Sequence, residues 1–363
     1  MSSSTPTSFL LPAHGWDEHW ESTFNTVAGH AAGAVPARVL RTERGLCEVI
    51  TDRGPARVGL RPAQHTGSGT GPTTGDWIAV LPATDTAAAM LEAVLPRRTA
   101  LARAGADGNP RGQLLAANVD TVLIAVSLAA PVRRARTERL LALAWESGAR
   151  PVVALTQADT HPDPQAAREE LASVALGVDV LLTSAPTGEG ITELRAVLEG
   201  TIVLLGASGV GKSMLGNRLL GTDLLATGPV RAVGGKGRHT TAWRELRPLP
   251  GGGVLLDTPG LRSIGLTGAD EGVSHTFADL EDLAAQCRFS DCRHHTEPGC
   301  AVLAAIANGT LQARRLESYR KLQRETAWMA SRTDARARAE RTGDAKTLTK
   351  HLRAGCRGRE RPR

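Results

Sequence analysis

Apolar and polar positions run through this 363-residue chain in three successive rhythms. From Ala34 to about Arg98 they form short strand-length runs. ARVLRTERGLCEVIT, PARVGLR and DWIAVLP are separated by glycine, proline and polar turns. Such spacing predicts a small five-stranded barrel. An OB-like barrel suits the length, and an SH3-like barrel fits the pattern equally. HTGSGTGPTTGD reads as a long loop between strands. From Leu115 the rhythm becomes α/β. VDTVLIAVSL, PVVALTQAD, DVLLTSA, TIVLLG, TTAWRELRPLP and GGGVLLDTPG read as strands. ARTERLLALAWESGA, ITELRAVLEG and the segment after Gly211 read as helices. Strands alternating with helices predict a mostly parallel sheet covered on both faces. Ligands in such folds bind at the carboxyl ends of the strands.

The third rhythm, from Glu271, is helical and interrupted by a cysteine cluster. The expected organisation is multidomain. It has an N-terminal extension over 1–34, read as weakly helical and peripheral, and a barrel over 35–98. An α/β domain covers 99–270, a helical cysteine-bearing domain 271–330, and a basic tail 331–363.

Charge sharpens this picture. Residues Leu311 to Arg363 hold 16 Lys and Arg against 6 Asp and Glu, so the rest of the chain is mildly acidic although the total is +6. A basic tail on an acidic body suits a polyanion partner: RNA, DNA or an acidic membrane surface. A solvated helix fits the same composition. No apolar run is long enough to cross a membrane, and MSSSTPTSFLLPAHGW lacks the basic segment of a secretory leader. Of five cysteines, Cys287, Cys292 and Cys300 cluster, while Cys47 and Cys356 stand apart. This usage predicts metal ligation in a reducing compartment, hence the cytoplasm.

Gly206, Ala207, Ser208, Gly209, Val210, Gly211, Lys212 and Ser213 spell G-x-x-x-x-G-K-S between a strand and a helix. The glycines let backbone N–H groups converge on a phosphate, and the helix start adds partial positive charge. Lys212 would reach the β- and γ-phosphates, and Ser213 would ligate Mg²⁺. Asp257, Thr258, Pro259 and Gly260 follow a later strand. Asp257 is placed to hold Mg²⁺, and the Gly260 N–H to sense the γ-phosphate. Between them, GGKGRHTT (234–241) reads as a switch in which Thr240 or Thr241 adds a hydroxyl ligand to Mg²⁺.

Two further strand ends address the base. Thr156, Gln157, Ala158 and Asp159 match the Asn/Thr-Lys-x-Asp form of nucleotide-binding switch proteins, save for glutamine at 157. The Asp159 carboxylate would accept from guanine N1–H and the exocyclic amine, a pattern adenine lacks. Ser184 and Ala185 end the next strand. These base-reading elements precede the phosphate loop, the reverse of the usual order. A parallel sheet retains its arrangement after such a circular permutation if the new ends lie at the surface.

Cys287, Cys292, His294 and Cys300 supply three thiolates and an imidazole, a set suited to closed tetrahedral Zn²⁺. His295 is a neighbouring imidazole.

Together GDW (75–77), PRR (96–98), AANVD (116–120), GRHTT (237–241), DTPGLRSIGL (257–266) and FSDCRHHTEPGC (289–300) are notable. With the permuted nucleotide motifs, they make the chain resemble the circularly permuted, ribosome small subunit-dependent GTPases. The resemblance runs from about Pro36 to Glu325. It implies an N-terminal OB domain, a permuted P-loop GTPase domain and a C-terminal zinc domain with His294 as ligand. It implies GTP hydrolysis to GDP coupled to late maturation of the small (30S) ribosomal subunit, with binding to its 16S rRNA and release after hydrolysis. It also implies stimulation by that subunit and a catalytic role for His239, since Leu261 after DTPG is apolar and cannot position water. No DNA or membrane partner is expected, and the chain is expected to be a monomer. Two alternatives remain at this stage: a large-subunit assembly GTPase, and an RNA-binding scaffold with little turnover.

Overall fold

The computed structural model describes residues 10–28, 31–43, 45–60, 71–103, 113–225, 245–257 and 270–333. Two helices, α1 (Leu10–Ala13) and α2 (Glu18–Ala28), open the chain. Strands β1 (Val35–Glu43), β2 (Leu46–Thr51), β3 (Gly54–Gly59), β4 (Trp77–Leu81) and β5 (Met90–Val94) follow. They close a barrel in the order β1-β2-β3-β5-β4, with β1 and β4 paired to seal it. That circuit is the OB-like arrangement and decides between the two barrels the pattern allowed. Val39, Val49, Val58, Ile78, Val80 and Leu91 fill its interior.

The opening segment is not peripheral. Leu11 and Trp20 are buried against Ile50, Trp77 and Leu95. The Trp16 and Trp77 rings meet edge to face, 4.8 Å between centroids. Scarce aromatics are thus spent on docking α1 and α2 onto the barrel wall.

A hairpin, β6 (Ala100–Arg103) and β7 (Gln113–Ala117), leads to the second domain. There the elements are β8 (Thr121–Ser127), α3 (Arg134–Glu146), β9 (Arg150–Thr156), α4 (Pro164–Ala172) and β10 (Asp179–Leu182). The chain continues through α5 (Ile191–Val197), β11 (Thr201–Leu205), α6 (Lys212–Leu220), β12 (Glu245–Pro248) and β13 (Val254–Asp257). The sheet order is β10-β9-β8-β11-β13-β12, and only β12 runs antiparallel to its neighbour. Strand β11 lies centrally, with the strands that precede it on one side and those that follow on the other. This is the spatial outcome expected of the permuted motif order.

Alternation along the central strands feeds two cores. Val122, Ile124, Val203, Leu205 and Leu256 face one layer. Leu123, Ile202, Leu204 and Leu255 face the other, with Leu215 and Leu219 of α6. Strands buried on both faces read as continuous apolar runs, as these do. The last helices are α7 (Asp270–Thr276), α8 (Ala278–Ala284), α9 (Ala301–Ala307) and α10 (Ala313–Thr333). They join the first core through Val273, Phe277, Leu280, Val302 and Leu316.

Two polar joints lock the units together. At the first, Asp76 of the GDW motif is fully buried and takes a two-pronged bond from Arg97 of PRR, both at 2.7 Å. Burial pushes the Asp76 carboxyl up, against the lowering effect of Arg97. Asn118 of AANVD donates to the Gly75 carbonyl and accepts from the Arg98 N–H. Gly75 has φ +95°, and a Cβ there would stand 2.2 Å from the Ala117 carbonyl oxygen. Asp120 accepts from the Thr201 N–H at the foot of β11. Buried Arg38 donates to the Thr201 hydroxyl at 2.6 Å and to the His14 carbonyl, and its guanidinium lies over Trp77. Burial lowers it to about 10, although Asp120 and Asp76 support its charge. The motifs are therefore largely a mortise between barrel and sheet.

At the second joint, Arg315 of α10 reaches Glu138 of α3 at 2.9 Å and Asp279 of α8 through two nitrogens. It also donates to the carbonyl of Thr276 and lies over the Phe277 ring.

Candidate functional site

Register places the 206–213 loop and the strand ends at Thr156 and Thr183 on one sheet edge. Ser127 pairs with Thr156, Leu205 with Ile124, and Leu182 with Leu155. The carboxyl ends of β11, β8, β9 and β10 therefore open together. Gly206 leaves β11 at φ +144°, where a Cβ would meet the Ala125 carbonyl oxygen at 2.5 Å. Only glycine lets the loop turn there. Gly209 and Gly211 also take positive φ, and Gly211 caps the start of α6. Ala207, Val210 and Ser213 are half-buried, while Ser208 and Gly209 are exposed. The Lys212 ammonium curls over the loop and donates to the carbonyls of Gly206 and Ala207. A phosphate entering this cradle meets the ammonium, the loop amides and the helix start, all suited to negative charge.

The base side is tied to the phosphate side by one bond. The Thr156 hydroxyl donates to the Val210 carbonyl at 2.6 Å. The chain then turns at Gln157, in the left-handed region with φ 59°, into a short 3₁₀ turn, Ala158–Thr160. Asp159 lies exposed on this turn, and its carboxylate has no protein partner among the described residues. The Ala158 N–H donates to the Thr183 carbonyl, holding the turn beside the end of β10. Gln157 is not free. Its Oε1 accepts from the Ser127 hydroxyl at the end of β8, which itself accepts from the Ala129 N–H. With Ser127 so committed, the Gln157 amide nitrogen is turned away from it. Ser184 is buried and Ala185 half-buried in a turn closed by bonds from Gly188 and Glu189 backbone atoms.

On the other side of β11, Asp257 ends β13, one strand over from the phosphate loop. The Ser213 hydroxyl on the first turn of α6 has no partner among the described residues. His239, Thr240, Thr241 and Gly260, the remaining nucleotide-site residues expected from sequence, lie outside the described residues. Sequence reasoning missed Ser127 and Arg218. Ser127 is one hydroxyl at the end of an apolar strand, and Arg218 is a charge on a helix surface. Neither carries a local signal.

Cys287, Cys292, His294 and Cys300 form a second centre. Their ligand atoms all lie within 4.8 Å of one another. The Cys287 and Cys300 sulfurs are 3.8 Å apart, and His294 Nδ1 is 3.6 and 3.4 Å from them. A tetrahedral zinc with arms of about 2.3 Å to sulfur and 2.0 Å to nitrogen has edges of about 3.5–3.8 Å, so the set fits such an ion. His294 takes a left-handed φ of 59°, and its carbonyl accepts from Arg320. Burial lowers its pKa, assisted by the Arg320 charge, which favours the neutral ligating imidazole. Glu297 braces the knuckle by accepting the N–H groups of Arg293, His295 and Thr296. Among the described residues this is the one cluster able to hold a metal, and no helix is long and apolar enough to cross a membrane.

A G-x-x-x-x-G-K-S loop at the centre of a parallel sheet, the Thr156–Asp159 and Ser184–Ala185 strand ends ahead of it in the chain and an OB-like barrel in front define a circularly permuted P-loop GTPase. The family model described as RsgA GTPase matches residues 94–267. The small ribosomal subunit biogenesis GTPase RsgA of Streptomyces coelicolor is 50% identical over 334 residues, covering 91% of this chain and 90% of that protein. The protein of the same name from Opitutus terrae is 42% identical over 97% of this chain and 98% of its own length. The crystal structure of YjeQ from Thermotoga maritima superposes with a TM-score of 0.61 at 28% identity, over 81% of this chain and 98% of that one. The circularly permuted GTPase YloQ, at 22% identity and a TM-score of 0.57, shares the fold. The chain belongs to the RsgA family of circularly permuted GTPases, which hydrolyse GTP in small ribosomal subunit biogenesis.

Proposed function

We propose that this chain hydrolyses GTP on the edge described above and couples turnover to late maturation of the small ribosomal subunit. The reading is carried by the Thr156–Val210 bond, which fixes the base-reading strand against the phosphate loop. Asp159 reads guanine N1–H and the exocyclic amine, and the Ala185 N–H meets O6. Gln157 covers part of the base plane without the positive charge of the family's lysine. Lys212 and the loop amides stabilise charge on the transferring phosphoryl group during in-line attack by water. His239 orients that water, Thr240 or Thr241 completes the switch, and the Gly260 N–H senses the γ-phosphate. Ser213 and Asp257 would hold magnesium, which supplies positive charge beside the β- and γ-phosphates. The Cys287, Cys292, His294 and Cys300 set holds a structural zinc, since its four ligands leave no open position.

The partner is the small subunit and its rRNA, engaged in the GTP state and left after hydrolysis. The basic stretch beyond Leu311 supports this reading through charge complementarity with the phosphate backbone. Thiolate ligands suit a reducing cytoplasm, where we place the protein as a monomer. The test is the Asp159→Asn variant. Guanine preference over adenine should fall by about tenfold or more, because the carboxylate is the group that accepts from the amine. An unchanged GTP-over-ATP preference refutes the base-reading role.

A further inference from the structure

We propose that Arg218 is a positioning residue for guanine recognition, pinning the 184–189 turn to the helix that begins at the phosphate loop. The proposal rests on the reading that Asp159 and the Ala185 N–H address the base. Arg218 lies on α6, six residues after Lys212, about 9 Å along the axis at 1.5 Å per residue. Its Nε donates to the Ala185 carbonyl and its Nη2 to the Pro186 carbonyl at 2.9 Å. One guanidinium thus holds two consecutive carbonyls in a fork that a lysine cannot reproduce.

The turn needs an outside clamp. Pro186 has no N–H, so it cannot donate to the turn's own ladder. Its inner side is closed by other bonds. The Ser184 carbonyl accepts from the Gly188 N–H, and the Ser184 N–H donates to the Glu189 carbonyl, at 2.9 and 3.0 Å. The Ser184–Ala185 peptide therefore has its carbonyl committed inward. Its N–H, on Ala185, points the other way and has no protein acceptor among the described residues. With Ala185 and Pro186 held by Arg218, that N–H is fixed relative to α6 and hence to the phosphate cradle.

Arg218 is itself held in register. Arg195 of α5 donates to the carbonyls of Arg218 and Leu219 at 2.7 and 3.1 Å, closing the last turn of α6. A cation at a helix carboxyl end is favourably placed. The connection runs from the Lys212 end of α6 to its Arg218 end and on to the Ala185 turn. In this arrangement a base is read at a set distance from its phosphates.

The test compares GDP, IDP and pyrophosphate as competitors of a fluorescent GDP, on the full chain and on the Arg218→Ala, Arg218→Lys and Asp159→Asn variants. GDP and IDP both carry O6, IDP lacks the exocyclic amine, and pyrophosphate carries no base. Arg218→Ala should weaken GDP and IDP by the same factor, about three- to tenfold for charge-assisted bonds at an exposed site. Pyrophosphate affinity should stay within twofold, and Arg218→Lys should recover part of the loss. Asp159→Asn should weaken GDP more than IDP, which keeps N1–H but lacks the amine. Two results overturn the proposal while leaving the base-reading site standing. One is unchanged GDP and IDP binding in Arg218→Ala. The other is an equal loss for pyrophosphate, which would mark a purely structural residue. If Asp159→Asn leaves GDP binding unchanged, the base-reading site itself fails and the Arg218 proposal falls with it.

Discussion

Replacing Arg315 with alanine should loosen the C-terminal helices from the GTPase domain by several kcal/mol. Arg315 is 3% exposed and its partner Glu138 is fully buried. It makes five hydrogen bonds: one to Glu138, two to Asp279 and two to the carbonyls of Thr276 and Val174. Removing one partner of such a pair leaves an uncompensated buried charge and costs about 3–5 kcal/mol. Here the upper half of that range is expected. Glu138 Oε2 already lacks a hydrogen bond among the described residues, so losing Arg315 leaves both carboxylate oxygens unpaired. Asp279, about a quarter exposed, can turn toward water. Amide hydrogen exchange followed by mass spectrometry reads the local effect. In α7 and α10, protected amides that open through this joint should exchange roughly seven hundredfold to four thousandfold faster, since each 1.4 kcal/mol is a factor of ten. The double variant Arg315→Met with Glu138→Leu should recover most of the protection, because apolar groups remove the buried charge together with its partner. Exchange in Arg315→Ala within tenfold of the parent would refute this account of the joint.

Two further outcomes are expected. Stripping metal with a chelator should release about one zinc per chain and expose the thiols of Cys287, Cys292 and Cys300 to labelling, while GDP binding is retained. Metal analysis finding no zinc, or thiols equally reactive before and after chelation, would remove the zinc assignment. Cys47 is buried in the barrel, where desolvation, aided by Asp76, pushes its thiol up to about 12. Its folded value lies above the ordinary 9.0, so its contribution to stability is fully present below pH 9 and lost as pH rises through about 12. Iodoacetamide at pH 9 should leave Cys47 unmodified in native protein and modify it in urea; mass spectrometry showing native labelling would contradict its burial.

The nucleotide edge was legible because its chemistry is local. Gly206 to Ser213, Thr156 to Asp159 and Asp257 each carry their meaning in a few adjacent residues. The sheet places them together because each follows a strand. The metal-capable cluster of Cys287, Cys292, His294 and Cys300 was readable for the same reason. The barrel was readable only as a set of short strands, since the OB and SH3 alternatives differ in strand order, a long-range property. The β6–β7 hairpin went unread although GADGNPRG between its strands is rich in turn residues. Trp16 and Trp20 were hidden because weak helices with scattered tryptophans resemble an unpacked terminus. Arg38 and Arg315 were illegible in principle. Arginine is usually a surface residue, and their decisive partners, Thr201 and Glu138, lie 163 and 177 positions away. Gln157, which stands where the Asn/Thr-Lys-x-Asp form has lysine, gains its physical setting only when Ser127 is brought beside it.

The proposed function requires this edge to select GTP and to hydrolyse it in response to the small ribosomal subunit. The direct measurement is GTP and ATP hydrolysis by purified, zinc-loaded protein with and without small ribosomal subunits. Slow, GTP-selective turnover that rises strongly when the subunit is added is the expected result. ATP turnover equal to that of GTP would contradict the base pocket built around Asp159, and GTP turnover unchanged by the subunit would contradict the coupling.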